Sequence, residues 1–260
     1  MTRPVFYFSD PASELSQVQP GEVLRLGAEE GRHAATVRRI REGEGLDLVD
    51  GHGTRALCEV VSADKQGLDC RLLSLEYEEA PRVRLVLVQA LAKGGRDEQA
   101  IEICTAIGID GVIPWQSDRT IVRWAGAKAK KGRAKWENTV RAAAKQARRA
   151  WVPLVEDVVD SRGLLQGIET LICQGGRAFI CHEEAVETLS VHLRTHPLTE
   201  CEPGGEIWII VGPEGGICPE ETSAFEQAGA ELIGLGRNVL RSSTAGAVCL
   251  TLLSAALNRL

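Results

Sequence analysis

The sequence predicts an α/β protein in two parts: a small β-barrel, then a larger domain in which helices cover a mostly parallel sheet. Three observations carry this. Up to about residue 75, short alternating segments recur between glycines, the pattern of half-buried strands. From residue 82, continuous apolar runs alternate with segments of helical period, as in βαβ units. Between them, Glu76-Tyr77-Glu78-Glu79-Ala80-Pro81 is an acidic, proline-ended connector, which places the domains at 1–75 and 82–260.

In the first part, strands are expected at 22–26, 46–50, 55–61 and 68–73. Asp50-Gly51-His52-Gly53 is a hairpin turn, because Asp-Gly tolerates positive φ. A helical piece over 31–39 interrupts the strands. In the second part, 83–88 reads as a buried strand and 97–107 as a helix that stops at Gly108. A strand at 111–115, a helix at 136–149, and strands at 177–181, 207–211 and 231–235 follow. Pro219-Glu220-Glu221 opens a helix, since proline lacks a donor that the first turn does not need and carboxylates suit the positive helix end. Ser242 or Ser243 is expected to cap a last helix over 244–257. That helix is apolar nearly all round and belongs in the core or in a subunit interface.

The 260 residues carry a formal net charge of -6, so the whole chain is not a basic nucleic-acid binder. No signal peptide and no membrane span is read, and the cytoplasm is the expected location. The 8 cysteines, at 58, 70, 104, 173, 181, 201, 218 and 249, form no Cys-x-x-Cys and are expected as buried, reduced thiols. His192 and His196 share a helix face, but Pro197 follows and no glutamate completes His-Glu-x-x-His; no metal is expected.

The candidate site is Gly212-Pro213-Glu214-Gly215-Gly216, a glycine loop at the end of a buried strand, where open α/β sheets place ligands. No Walker lysine follows it, and Glu214 sets a negative charge where a phosphate would sit. A carboxylate beside free amides suits a neutral or cationic ligand bearing hydroxyls, such as an adenosine with a sulfonium; a plain tight turn is the competing reading. Between 119 and 149 the basic residues include Arg119, Arg123, Lys145, Arg148 and Arg149, with Glu137 the one acid. Such a stripe suits phosphate contact, and Trp124, Trp136 and Trp151 offer stacking surfaces for bases or are simply core. Arg32, His33, Arg38 and Arg39 form a second, weaker patch, equally well read as ordinary surface. Lys93 and Arg96, on a glycine-rich loop after the 83–88 strand, suit a phosphate or substrate base as well as plain solvation.

These motifs, above all Gly212–Gly216 followed by Leu235-Gly236-Arg237-Asn238-Val239-Leu240-Arg241, resemble the SPOUT-class RNA methyltransferases. Within that class the chain is similar to the small-subunit ribosomal RNA uridine-N3 methyltransferases, the RsmE family, over essentially its whole length. The resemblance implies an N-terminal PUA-like β-barrel for RNA recognition and a C-terminal α/β trefoil-knot domain. It implies S-adenosyl-L-methionine as cofactor, a homodimer whose site uses both subunits, and methylation of uridine N3 in the 16S rRNA decoding region on the assembled small ribosomal subunit. Gly212, Pro213, Glu214, Gly215 and Gly216 would then hold the cofactor with Leu235, Gly236, Val239 and Leu240. Ile180 and His182 would add a wall, Arg241 would stabilise charge on a uracil oxygen, and Glu214 would take the proton.

Two departures from the family pattern stand out: Ala106 replaces a frequent glutamate, and so does Ser243. The second moves the search for a base to Glu214, or to no protein base at all. Another SPOUT activity, such as methylation of a tRNA ribose hydroxyl, and a non-catalytic ribosome-assembly factor are the remaining readings.

Overall fold

The computed structural model describes residues 3–8, 14–198 and 204–260, so Cys201 lies outside the described residues. It divides into two compact units, one of Met1–Ala80 with Ala144–Val152, the other of Pro81–Ala143 with Pro153–Leu260.

The first unit is built on β1 (Val5–Tyr7), β2 (Val23–Leu26), β3 (Gly45–Val49), β4 (Thr54–Asp64) and β5 (Gly67–Tyr77). They pair in the order β1-β3-β4-β5-β2, antiparallel except for the parallel β1–β3 contact. Alternation does the sorting: Leu46 and Leu48, Ala56, Cys58 and Val60, and Cys70 and Leu72 point inward and pack with Phe6 and Phe8. At the β3–β4 turn the Asp50 carboxylate accepts from the His52 amide at 2.7 Å and the Thr54 amide at 3.1 Å. Gly51 and Gly53 take φ of 85° and 102°, as the sequence requires there.

The predicted 31–39 helix is instead α1 (Ala28–Arg32) running into a π-helical turn, His33–Val37. Gly31 permits this close passage, since a Cβ there would stand 2.1 Å from the Leu26 carbonyl oxygen. Residues 144–152, placed from sequence in the second domain with a helix ending at 149, belong to this unit. Ala150 and Val152 pack with Val5, Tyr7 and Val49, and the Trp151 indole donates to the Glu78 carbonyl at 2.8 Å.

The second unit holds β6 (Arg84–Ala90), β7 (Gly111–Gln116), β8 (Leu154–Val155), β9 (Val159–Asp160), β10 (Arg177–Cys181), β11 (Glu206–Val211) and β12 (Glu231–Ile233). The sheet runs β12-β10-β11-β6-β7-β8, with β9 also on β7, and every pairing is parallel. A parallel sheet needs both faces covered. Val86, Val88 and Ala90 pack on one face with Leu164, Ile168 and Leu171 of α4 (Ser161–Cys173) and Phe225 of α6 (Pro219–Gln227). Leu85 and Leu87, pointing the other way, are fully buried beneath α2 (Arg96–Ile107) and α7 (Ser242–Ala256). Gly246 lets α7 settle there: a Cβ would meet Leu87 at 2.8 Å and the Cys104 sulfur at 3.5 Å.

The helix α3 (Ala127–Gln146) begins well before the predicted 136 and ends before 149. Its early turns are Ala-Lys-rich good formers, and Arg148, just beyond it, takes a left-handed φ of 59°. Neither Ser242 nor Ser243 caps α7; Arg241 is the N-cap residue and its carbonyl accepts from the amides of Thr244 and Ala245. One side of α7 is buried, while Val248, Thr251 and Ala255 on the other are exposed. Among the described residues no helix is long and apolar enough to cross a membrane.

Candidate active site

In the sheet order, β11 lies between β10 and β6, and the chain leaves β6 toward β7 but leaves β11 toward β12 on the opposite side. That reversal is a topological switch point, and its carboxyl end is where loops part to leave room for a ligand. The loops after β6, β10, β11 and β12 all emerge there.

After β11 the chain forms the 212–216 loop. Gly212 passes so close to Ile217 that a Cβ would stand 2.6 Å from its side chain, and Gly216, at φ 74°, bonds back to the Pro213 carbonyl. Pro213 is buried, whereas Glu214, Gly215 and Gly216 are exposed. After β12, Gly234 continues as an isolated parallel bridge with Thr188; its amide donates to the Glu187 carbonyl at 2.8 Å and its carbonyl accepts from the Leu189 amide at 2.9 Å. This binds the loop after β10 to the loop after β12, and the His182 amide adds a bond to the Ile233 carbonyl at 3.1 Å. Strand β12 therefore ends at Ile233, not at the predicted 235, because Gly234 has left the ladder for a loop partner.

Among the described residues, the backbone amides of Glu214 and Gly215, and of 235–240, meet no protein acceptor. Two walls of free donors thus sit at one end of the sheet. Val239 and Gly236 are exposed, and Leu235 and Leu240 half-buried. Arg241 is exposed with no ion-pair partner among the described residues. The Ile180 side chain is fully buried in the core beside Ile210, which leaves only its backbone near the site. His182 is half-buried, with Nδ1 accepting from the Glu184 amide at 3.2 Å.

Two arginines reach the glycine loop, a pairing that sequence spacing gave no sign of. Arg96 donates to Glu214 at 3.0 Å, and Arg119 to the Gly215 carbonyl at 3.1 Å. Arg96 opens α2 after Gly94 and Gly95, consecutive left-handed residues at φ 68° and 76°, and Lys93 beside them is exposed. The turn is anchored by Asp97, whose carboxylate accepts from the amides of Ala92 at 3.1 Å and Glu98 at 3.0 Å. Burial pushes the Asp97 carboxyl above its ordinary range, and the Ala92 bond partly offsets this. The N-terminal turn of α6 holds Glu220 below its usual value, through its own amide first and the Cys218 thiol next.

The basic stripe divides. Arg123 folds back on the carbonyls of Ser117 and Asp118, Lys145 pairs with Glu30 at 2.6 Å, and Arg133 with Glu137 and Asp157. Lys128, Lys130 and Lys131 on α3 remain exposed and unpaired among the described residues, as do Arg38 and Arg39. Arg148 is exposed and Arg149 half-buried; Arg32 bonds the Ala28 carbonyl, and His33 lies near the Phe6 ring. The tryptophans are structural rather than stacking platforms. Trp136 is fully buried, Trp124 packs edge-on against it at 5.2 Å, and Trp151 is held by Glu78.

Both His192 ring nitrogens have partners, Nδ1 with Glu187 at 3.0 Å and Nε2 with Arg177 at 2.7 Å and Glu231 at 2.9 Å, while the His196 ring stacks on it. Asp118, Cys218 and Glu221 lie close enough to share an ion, but the Glu221 carboxylate is already bonded by two amides and a hydroxyl. Of the described cysteines, Cys173 is exposed and Cys181 half-buried, contrary to the expectation of burial; the other five are buried.

A parallel α/β sheet with glycine loops at its switch point, preceded along the chain by a small β-unit, defines a class, and the comparisons agree with it. A family model described as an RNA methyltransferase domain matches residues 78–254, and one described as an RNA methyltransferase PUA domain matches 26–73. The chain is 42% identical over 230 residues to the ribosomal RNA small subunit methyltransferase E of Mycobacterium bovis, covering 88% of this chain and 85% of that one. It is 28% identical to its namesake in Bacillus subtilis, over 92% of each chain. A solved methyltransferase from Legionella pneumophila, in complex with the bound cofactor SAM, superposes with a TM-score of 0.80 at 25% identity, covering 98% of each chain. The chain belongs to the ribosomal RNA small subunit methyltransferase E family.

Proposed function

We propose that this chain transfers a methyl group from S-adenosylmethionine to N3 of a uridine in 16S rRNA, in the decoding region of the assembled small subunit. The observation that carries the reading is the pair of loops with free amides, at 214–215 and 235–240, at the switch point of a chain 42% identical to a small subunit methyltransferase E. The residues present fit the cofactor. Exposed backbone donors suit its hydroxyls and carboxylate, and Glu214 suits its positive charge. When bound, it supplies an electrophilic methyl carbon on a sulfonium.

The chain's own residues do the rest. Gly212, Pro213, Gly215, Gly216, Leu235, Gly236, Val239 and Leu240, with His182 and the backbone of Ile180, hold the adenosyl group so that the methyl carbon meets N3 in line. Glu214 is the one carboxylate on the two loops and takes the N3 proton. Arg241, unpaired and exposed, neutralises charge building on a uracil oxygen.

For RNA, the first unit (1–80 with 144–152) offers Arg32, His33, Arg38, Arg39, Arg148 and Arg149. The second offers Lys93 and the α3 lysines, whose phosphate contacts would make binding salt-dependent. Arg96, Arg119, Arg123 and Lys145 are already bonded within the protein and order the surface around these cations. The half-exposed apolar side of α7 suits a second copy, and the family's trefoil knot and homodimer are part of the same reading. Titration calorimetry with S-adenosylmethionine tests it: saturable binding is expected, and absence of binding favours a non-catalytic RNA-binding factor.

A further inference from the structure

We propose that Glu221 is a positioning residue, whose buried carboxylate fixes Arg119 against the Gly215 carbonyl and so holds the glycine loop in its cofactor-binding form. The inference rests on the reading of 212–216 as a cofactor wall.

Glu221 is only 4% exposed. One carboxylate oxygen accepts from the Cys218 amide at 3.2 Å and closes the first turn of α6. The other accepts from the Asp118 amide at 2.9 Å and from the Ser161 hydroxyl. Ser161 also receives the Trp115 indole N–H at 3.2 Å. A single buried charge therefore joins the segment leaving β7, the start of α4 and the start of α6. Helix capping uses only the first of these bonds. The others reach into different elements, and charge-assisted bonds in a dry site are strong and directional.

Asp118 immediately precedes Arg119, which donates to Gly215 at 3.1 Å. Arg123 folds back on Ser117 and Asp118 and stiffens the same segment. Pinning the Asp118 amide thus sets the reach of the Arg119 guanidinium. Gly215 and Gly216 are exposed and have no side chains to fix them; the Gly216 amide bonds only within the loop, so Arg119 ties the Gly215 carbonyl to a different segment. Replacing Glu221 by glutamine turns one acceptor into a donor that faces a donor.

The test is a calorimetric cycle with S-adenosylmethionine on the full chain: wild type, Glu221→Gln, Arg119→Ala and the double variant. Glu221→Gln is expected to weaken cofactor binding about tenfold, the order of a lost charged hydrogen bond, and to add little once Arg119 is alanine. In turnover the loss is expected in KM for the cofactor more than in kcat. Additive effects in the cycle, or unchanged affinity with only a lowered melting temperature, overturn the proposal. If Glu221→Gln does not fold, native-state hydrogen exchange of the wild type decides: the Asp118 amide must be protected like the first turn of α6, and exchange at loop rates overturns it. A wild type that binds no cofactor removes the underlying reading as well, whereas binding with additive variants removes this inference alone.

Discussion

The Arg96 guanidinium donates to the Glu214 carboxylate at 3.0 Å and joins the loop after β6 to the glycine loop after β11 across the switch point. Both side chains are partly exposed, so the pair orders the loops more than it stabilises the fold. Glu214→Gln keeps the shape and removes the base. Turnover at saturating cofactor is expected to fall on the order of 100-fold, a larger loss than the weaker binding that follows from removing the cofactor's counter-charge. Full turnover across pH would show that no protein base acts at this position.

Arg241 offers a cleaner separation of chemistry from folding. Its carbonyl serves the α7 cap and its side chain has no partner among the described residues. Arg241→Ala should leave stability within about 0.5 kcal/mol of wild type and reduce kcat roughly 100-fold or more. Denaturant melts and single-turnover rates check the two halves independently.

How much of this was legible in the sequence depended on whether a residue acts locally. Asp50 and its glycines fix a hairpin from within four residues, and the 207–211 and 212–216 stretches announce a buried strand and its loop. The seating of 144–152 in the first unit, by contrast, depends on Trp151 finding Glu78, a partner 73 positions away. The Arg119 and Arg96 contacts and the triple use of Glu221 have the same long-range character. Its capping box was hidden further because Cys218 stands where a serine or aspartate is usual. Strand β1 is three residues long, too short for alternation to register.

Asp97 makes the stability of the fold pH-dependent in a defined direction. Burial raises its folded-state carboxyl above the ordinary 3.8, so the folded chain holds this proton to higher pH than the unfolded chain does. The cost of ionising it is fully present above the folded value and is relieved as pH falls toward 3.8. Relative to Asp97→Asn, the wild type is therefore expected to gain stability on acidification through that window. Paired melts at a series of pH values check it, and a constant difference between the two proteins would contradict it.

The thiols should separate by reactivity. Burial pushes Cys58, Cys70 and Cys104 up to about 12, whereas Cys173 is exposed. Alkylation of the native protein, read by peptide mass spectrometry, is expected to mark Cys173 first and the three buried thiols only after unfolding. Early labelling of Cys104 would mean that α2 and α7 do not stay packed.

Transfer of a methyl group to uridine N3 in 16S rRNA can be read directly in the product nucleoside. Purified protein and labelled S-adenosylmethionine are incubated with small subunits from a strain lacking the gene, and the rRNA is digested to nucleosides for mass spectrometry. Label is expected in N3-methyluridine, appearing roughly 100-fold more slowly when Arg241 is alanine. Label in a ribose-methylated nucleoside, or no transfer by a protein that binds the cofactor, would contradict the proposed function.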